Sequence, residues 1–160
     1  MSITIHSPEI LEEFKAIEGL QAEIWGTAIG VTPGIFLFVV AKEGGIVLLA
    51  QDNGKPVGFS YGILGLTEDN RVKLASHQTG VLPAYRDRGL GFDLKLAQRQ
   101  AALAKSLDLI TWTFDPLQGR NAWLNLRKLG AVCQTYIPDL YGEMNDAFNQ
   151  GLPSDRFNVD

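Results

Sequence analysis

The sequence predicts a mixed α/β domain whose helices pack against one central sheet, and three observations predict it. Asn53-Gly54 separates two β-rich runs, a strong hairpin signal because both turn positions need positive φ. An apolar, β-branched run ending Thr79-Gly80-Val81-Leu82-Pro83 passes through Arg86-Asp87-Arg88-Gly89-Leu90-Gly91 straight into Phe92 to Ser106. That last stretch has no proline or glycine and many good helix formers. The periodicities along the chain give the order β–α–α–β–β–β–α–β–α–β–β.

Ile3 to His6 reads as a short first strand. Ser7-Pro8-Glu9 then opens a helix, with Ser7 as cap, Pro8 in the first turn and acidic residues at the positive end of the dipole. Ile10, Leu11, Phe14, Ile17, Leu20 and Ile24 recur at helical spacing. Trp25-Gly26-Thr27 through Thr32-Pro33-Gly34 is a loop, and a second helix runs from about Ile35 to Lys42, ended by Gly44-Gly45. Three antiparallel strands follow: Ile46 to Gln51, Val57 to Leu66, and Val72 to Leu82 after a turn at Thr67-Glu68-Asp69-Asn70. The long helix from about Gly89 to Ser106 measures roughly 27 Å. Leu90, Leu94, Ala97, Ala101 and Ala104 form its expected inward stripe. Leu109 to Phe114 is a strand, and Asn121 to Leu129 a helix stopped by Gly130. Val132 to Pro138 or Tyr141 is a strand, and Arg156 to Val159 begins another.

One hundred and sixty residues make one ordinary domain, residues 1–160, large enough for a core without metal or disulfide staples. The chain stops abruptly inside what reads as its last strand, which points to a trimmed chain or a longer protein. Cys133 is the only cysteine, so no internal disulfide forms and a reducing cytoplasm is the expected setting. The N-terminus lacks the regions of a signal peptide, and Lys42-Glu43-Gly44-Gly45 cuts the apolar stretch Ile35 to Ala50 too short to span a bilayer. Two histidines and one cysteine, scattered, give metal binding no support. A net charge of −4 argues against nucleic acid as a partner, but it hides an asymmetry. Arg71 to Lys128 carries a balance of +6 and the rest −10, which suits a polyanionic cofactor and a cationic partner, or reflects ordinary solvated helix faces.

A strand–glycine turn–helix junction aims several backbone N–H groups at one spot, at the positive end of a helix dipole. That is an anion cradle, with phosphate the favoured guest. A dinucleotide fingerprint fails because its third glycine would fall at Leu94, and the only Gly-Lys pair, Gly54-Lys55, is followed by Pro56 rather than Ser or Thr. What remains is Arg-x-x-Gly-x-Gly from Arg86 to Gly91. With Val81-Leu82-Pro83-Ala84-Tyr85-Arg86 as its lead-in, it closely resembles the coenzyme A pyrophosphate motif of the GNAT acyltransferases. The order of elements also resembles the GNAT fold over nearly the whole chain. That resemblance implies a central, mostly antiparallel twisted sheet of six or seven strands, helices on both faces, and splayed fourth and fifth strands.

It further implies acetyl-CoA or another acyl-CoA as cofactor, with the pantetheine arm slotted between Lys73 to Leu82 and Leu109 to Phe114. The N–H groups of Asp87, Arg88, Gly89, Leu90, Gly91 and Phe92 would hold the pyrophosphate, with Arg86 and Arg88 as charge partners. Backbone near Val81 and Leu82 would meet the pantetheine amides and polarise the thioester carbonyl. Asn121 to Ala131 resembles the family stretch running from Asn to Lys-Leu-Gly-Phe, which carries a coenzyme-arm contact to Asn121; a helix N-cap is the other reading. The family's proton-donating tyrosine falls at Leu126, so that role does not transfer, and Tyr136, Tyr141 or water stand in its place.

An amine acceptor must lose a proton before attack. His77 is the candidate base: four residues before Val81, it is placed on one strand face with Thr79 and Val81, and imidazole titrates near working pH. A hydrogen-bonded packing role is the other reading. The acceptor pocket is expected from the loop around Trp25 to Thr32, from Tyr61, and from Tyr141 to Asp155, with Trp25 and Tyr61 alternatively core or rim aromatics. Phe114 ends the splayed strand, Asp115 could steer an amine and Arg120 could bind a carboxylate, a combination suited to a free amino acid. The favoured function is an N-acyltransferase acting on a small amine or amino acid, with acetyl or a larger acyl group such as succinyl. The alternative is a non-catalytic acyl-CoA-binding module. The homodimer common in this fold is an expected partner state, with no membrane.

Overall fold

The computed structural model describes residues 2–26, 30–142 and 153–160. Thr27 to Ile29 of the expected acceptor loop, and residues 143–152 of the segment between Tyr141 and Asp155, lie outside the described residues. Among those described there are seven strands, and the chain divides into two units, Met1–Ile110 and Thr111–Asp160. No helix among them is long and apolar enough to cross a membrane.

The first unit contains β1 (Ile3–His6), α1 (Leu11–Trp25), α2 (Gly34–Lys42), β2 (Ile46–Asp52), β3 (Lys55–Leu66), β4 (Val72–Val81) and α3 (Leu90–Ala104). Its strands pair antiparallel in the order β1-β2-β3-β4. Asn53 (φ 49°) and Gly54 (φ 83°) make the β2–β3 turn as the dipeptide requires. Alternation along β2 sends successive side chains to opposite faces, and both faces are covered. Val47 and Leu49 join Phe14, Ile17 and Leu20 of α1 and Leu37 and Val40 of α2. Ile46, Leu48 and Ala50 join Leu90, Leu94 and Ala102 of α3.

Two local expectations are corrected. Helix α1 starts at Leu11 with Ile10 at its cap and no side-chain cap, so Ser7 does not begin it. The carboxylate of Glu13 supplies the tie instead: it accepts from Glu9 N–H at 2.8 Å and from His6 Nε2 at 2.9 Å, while Pro8 is buried. The inward face of α3 is Leu90, Leu94, Lys95, Gln98 and Ala102, with Ala104 exposed and Ala97 and Ala101 half-buried. The helix lies on the sheet along an i, i+4 row, which drifts away from the stripe read off the alanines. Helix α2 is buried only along one side, leaving Ile35, Phe36 and Val39 exposed. Its first residue meets α1 at backbone distance: a Cβ on Gly34 would lie 2.8 Å from Lys15 N, and Gly34 N–H donates to Glu18 Oε2 at 2.7 Å.

The second unit holds most of β5 (Ile110–Phe114), α4 (Gly119–Ala122), a π-helical stretch Trp123–Lys128, β6 (Cys133–Ile137) and β7 (Arg156–Val159). Strand β7 lies between β5 and β6 and is antiparallel to both. Phe157 packs edge-on against Phe114 and Tyr136, with centroids 5.7 and 5.8 Å apart. Asp139, Ser154 and Asp155 bind the chain on either side of residues 143–152: Ser154 N–H and Oγ donate to Asp139 Oδ1, and Asp139 N–H donates to Asp155 Oδ1.

Candidate functional site

Strand β4 ends at Val81, and Leu82 N–H then donates to Val57 O at 3.0 Å. The Leu82 donor expected to meet a cofactor is therefore engaged by the sheet itself. Pro83–Tyr85 forms a 3-10 turn, Asp87 takes positive φ (61°), and Gly89 (φ 87°) stands at the cap of α3. Glycine suits this conformation because it has no Cβ to clash. The helix's own hydrogen bonds open with Asp93 N–H to Gly89 O at 3.0 Å. The N–H groups of Leu90, Gly91 and Phe92 thus have no acceptor inside the helix and point out of its positive end. A Cβ on Gly89 or Gly91 would meet nothing within 4 Å, so the turn faces open space. That is the arrangement an anion requires.

The side chains around this turn brace it. Arg86 Nε–H donates to Val81 O at 3.1 Å, tying the turn to the end of β4. Tyr85 Oη–H donates to Asp52 Oδ2 at 3.1 Å, and the Arg88 guanidinium lies 5.9 Å from the Tyr85 ring centroid. The hydrogen bond to Asp52 raises the Tyr85 phenol above its usual range.

His77 sits at an irregularity in β4. Tyr61 pairs with Gln78 and Gly62 with Ser76, so His77 is an extra residue on its strand, a β-bulge. The bulge resets the alternation, which corrects the expected face. Thr79 turns to Ser60 (Oγ1···Oγ, 2.8 Å) and Val81 packs in the α3 cluster, whereas the His77 ring lies against Tyr61 of the other cluster. The two rings are 5.5 Å apart at 66°. His77 is exposed, yet the protein on its inner side lowers its pKa by partial desolvation. On the opposite face, beside the bulge, Lys95 Nζ donates to Ser76 Oγ at 2.8 Å and to Gln98 Oε1 at 3.1 Å. Lys95 is buried, and desolvation pulls its amine down to about 7.

Tyr61 is 1% exposed, which makes it a core residue rather than a pocket wall. Its hydroxyl meets Thr32 Oγ1 at 2.8 Å, and burial raises its pKa. Trp25 closes α1 and stacks edge-on against Phe59 at 5.7 Å, the rim-or-core alternative to substrate contact. Gln21, unforeseen from sequence, is buried one turn before Trp25. It accepts from Thr32 N–H at 2.8 Å and donates to Thr32 O at 3.1 Å.

In the second unit, Phe114 is 5% exposed and packs on Phe157, so it does not line a pocket wall. Asp115 Oδ1 accepts from Leu117 N–H at 2.8 Å, a turn-capping bond. Arg120 and Asn121 are exposed on α4; the cap of that helix is Gln118, so the N-cap reading of Asn121 does not hold. The Tyr141 hydroxyl meets Thr113 Oγ1 at 3.1 Å, and Tyr136 donates to Asp155, whose carboxylate raises the phenol's pKa. Leu126 is exposed on the π-helical stretch. Asn125 is buried there, accepting from Trp112 Nε1–H at 3.1 Å.

No protein-family model matches the chain, and no curated protein sequence matches it. Solved structures do. A GNAT-family acetyltransferase from Streptococcus pneumoniae matches with a TM-score of 0.77 at 17% identity, over 99% of this chain and 98% of that one. The ribosomal-protein-S18-alanine N-acetyltransferase of Escherichia coli matches with a TM-score of 0.73 at 16% identity, over 99% and 92%. Arabidopsis thaliana Naa50, in complex with the bisubstrate analogue CoA-Ac-MVNAL, matches with a TM-score of 0.64 at 18% identity, over 99% and 97%. The chain has the GNAT acetyltransferase fold.

Proposed function

We propose that this protein is an acyl-CoA-dependent N-acyltransferase whose acceptor presents a primary amine, a small amine or an amino acid. The observation that carries the reading is the open turn at the start of α3. The N–H groups from Leu90 to Phe92 have no acceptor within the helix, and a Cβ on Gly89 or Gly91 would meet nothing within 4 Å. A diphosphate suits that cradle in charge. Structures with this fold that hold CoA-containing ligands support the same guest. The acceptors that name other enzymes of this fold, a ribosomal-protein alanine and an aminoglycoside, both offer amines.

The backbone from Asp87 to Phe92 would bind the diphosphate, with Arg88 adding positive charge and Arg86 holding the turn to β4. Bound acyl-CoA supplies the activated acyl group as a thioester. An amine is protonated at neutral pH, with a pKa near 10.4 if it resembles lysine. His77 would take that proton, directly or through one water, leaving the nitrogen lone pair free to attack. Its lowered pKa keeps the imidazole neutral and receptive at pH 7. A thiolate leaves readily and can take its proton from water, so the leucine at position 126 does not forbid turnover. Orientation supplies much of the rate, since well-aligned reactants reach effective molarities of ~10⁵ M or more.

Thermal-shift titration with CoA, acetyl-CoA and succinyl-CoA, followed by thiol release over the twenty L-amino acids and spermidine, tests this. Stabilisation by a thioester together with amine-dependent thiol release is the expected result. Stabilisation without release from any amine points to a non-catalytic acyl-CoA-binding module. A chain that no coenzyme stabilises has neither role.

A further inference from the structure

Four side chains of the first unit form a connected line from the interior of α1 to the bulge of β4. Gln21 is 1% exposed, and its amide acts as a substitute strand for Thr32, accepting from the N–H and donating to the carbonyl. The same Nε2 lies 3.4 Å from Ile17 O, so the amide is held from its own helix as well. Thr32, its backbone clamped on both sides, meets the phenol of Tyr61 with its hydroxyl at 2.8 Å. Tyr61 lies in the core, its ring stacked 6.3 Å from Phe59 and its phenol end held by the Thr32 hydroxyl. The imidazole of His77 stands against that ring.

A bulge residue has no partner directly across the ladder to orient it, so its direction depends on what its side chain meets. For His77 the ring of Tyr61 is one such contact. We infer that Gln21 is a positioning residue for the His77 imidazole, acting through Thr32 and Tyr61. The inference rests on reading His77 as the proton acceptor. Chemistry favours a glutamine here: only a neutral amide offers one donor and one acceptor side by side to a backbone N–H and C=O. Glutamate would set an oxygen against the carbonyls of Thr32 and Ile17, and methionine would satisfy neither group. A buried, half-satisfied arrangement is costly, so the tie is either whole or broken.

The test uses the full chain and the isosteric change Thr32→Val, which removes the hydroxyl, with Thr32→Ser to restore it and Gln21→Met to break the clamp. Two readouts are taken. The first is the ring titration of His77 by NMR, with His6→Gln assigning the two histidines. The second is transfer from acetyl-CoA to the best amine among the twenty L-amino acids and spermidine. Thr32→Val and Gln21→Met are expected to move the His77 titration toward the free imidazole value. They should also lower kcat about tenfold, on the scale of one buried polar group left without its partner, with acetyl-CoA affinity held within about twofold. Thr32→Ser should behave as wild type in both. A His77 titration unmoved by Thr32→Val overturns the inference, whatever the activity, and holds even if Gln21→Met fails to fold. Should His77→Ala keep full turnover, the proton-acceptor reading fails separately, and the ring titration still decides whether Gln21 positions the imidazole.

Discussion

Lys95 and Ser76 are joined across the interior by a 2.8 Å hydrogen bond, an amine of α3 held by a strand hydroxyl next to the His77 bulge. Burial lowers this lysine to about 7, whereas in the unfolded chain it keeps an ordinary value. Between these two values the unfolded chain binds the proton and the folded one does not. The stabilising difference is complete above the unfolded pKa and is lost as pH falls to about 7. Lys95→Met is expected to remove a rise in stability, at most about 1.4 kcal/mol per pH unit, across that interval. Urea unfolding from pH 6.5 to 9.5 measures it; parallel pH profiles for both proteins would show that the amine is not the source.

His77→Ala should reduce kcat by roughly 10² or more, the usual scale for a general base, while leaving acetyl-CoA affinity nearly intact. The wild-type rate should fall on the acid side, below a midpoint lower than the ordinary imidazole value, because burial shifts this ring downward. Steady-state kinetics against pH decide it. An unchanged rate assigns His77 to packing.

Gly89→Val places a β-branched side chain at φ 87°, at a strain of about 1–3 kcal/mol, in the turn whose N–H groups would hold the diphosphate. Acetyl-CoA affinity by calorimetry should drop at least about tenfold, a loss of 1.4 kcal/mol or more. Gly54→Val, at φ 83° and equally open, is the control for backbone strain alone. Comparable stability loss with unchanged affinity is expected there. Equal affinity in the two variants would remove the anion from this turn.

Gly34→Ala forces a methyl to within 2.8 Å of backbone atoms in Phe14 and Lys15, which cannot swing aside as a side chain would. Helices α1 and α2 must part, at an expected loss of about 1–3 kcal/mol. A lower urea midpoint with an unchanged m-value would report it, and a midpoint equal to wild type would refute it.

Local chemistry made most of the fold legible. Asn53-Gly54 marked its turn, Pro33-Gly34 and Gly44-Gly45 bracketed α2, and Gly89 marked the start of α3, because each signal acts on its own few residues. Illegible were features that depend on distant partners. Nothing near Ser7 says that Glu13 will outcompete it for the backbone of Glu9. A one-residue bulge leaves no mark in the alternation of Ser76 to Val81, so His77 was placed on the wrong face. Lys95 and Gln21 are surface residues by type, and Ser76 and Thr32, nineteen and eleven positions away, give them partners in the interior. The open turn that would bind a diphosphate was readable, because glycine spacing encodes it directly. The placement of the His77 ring was not, since it depends on the bulge and on Tyr61 of the neighbouring strand.

The bond from Arg86 to the last carbonyl of β4 bears on how related sequences should be compared. Nε–H belongs to a planar fork that lysine lacks. A relative with lysine at this place would carry the same charge and still let the strand end swing away from the glycines. Matching by charge would count such a chain as equivalent, while matching by shape would set it apart.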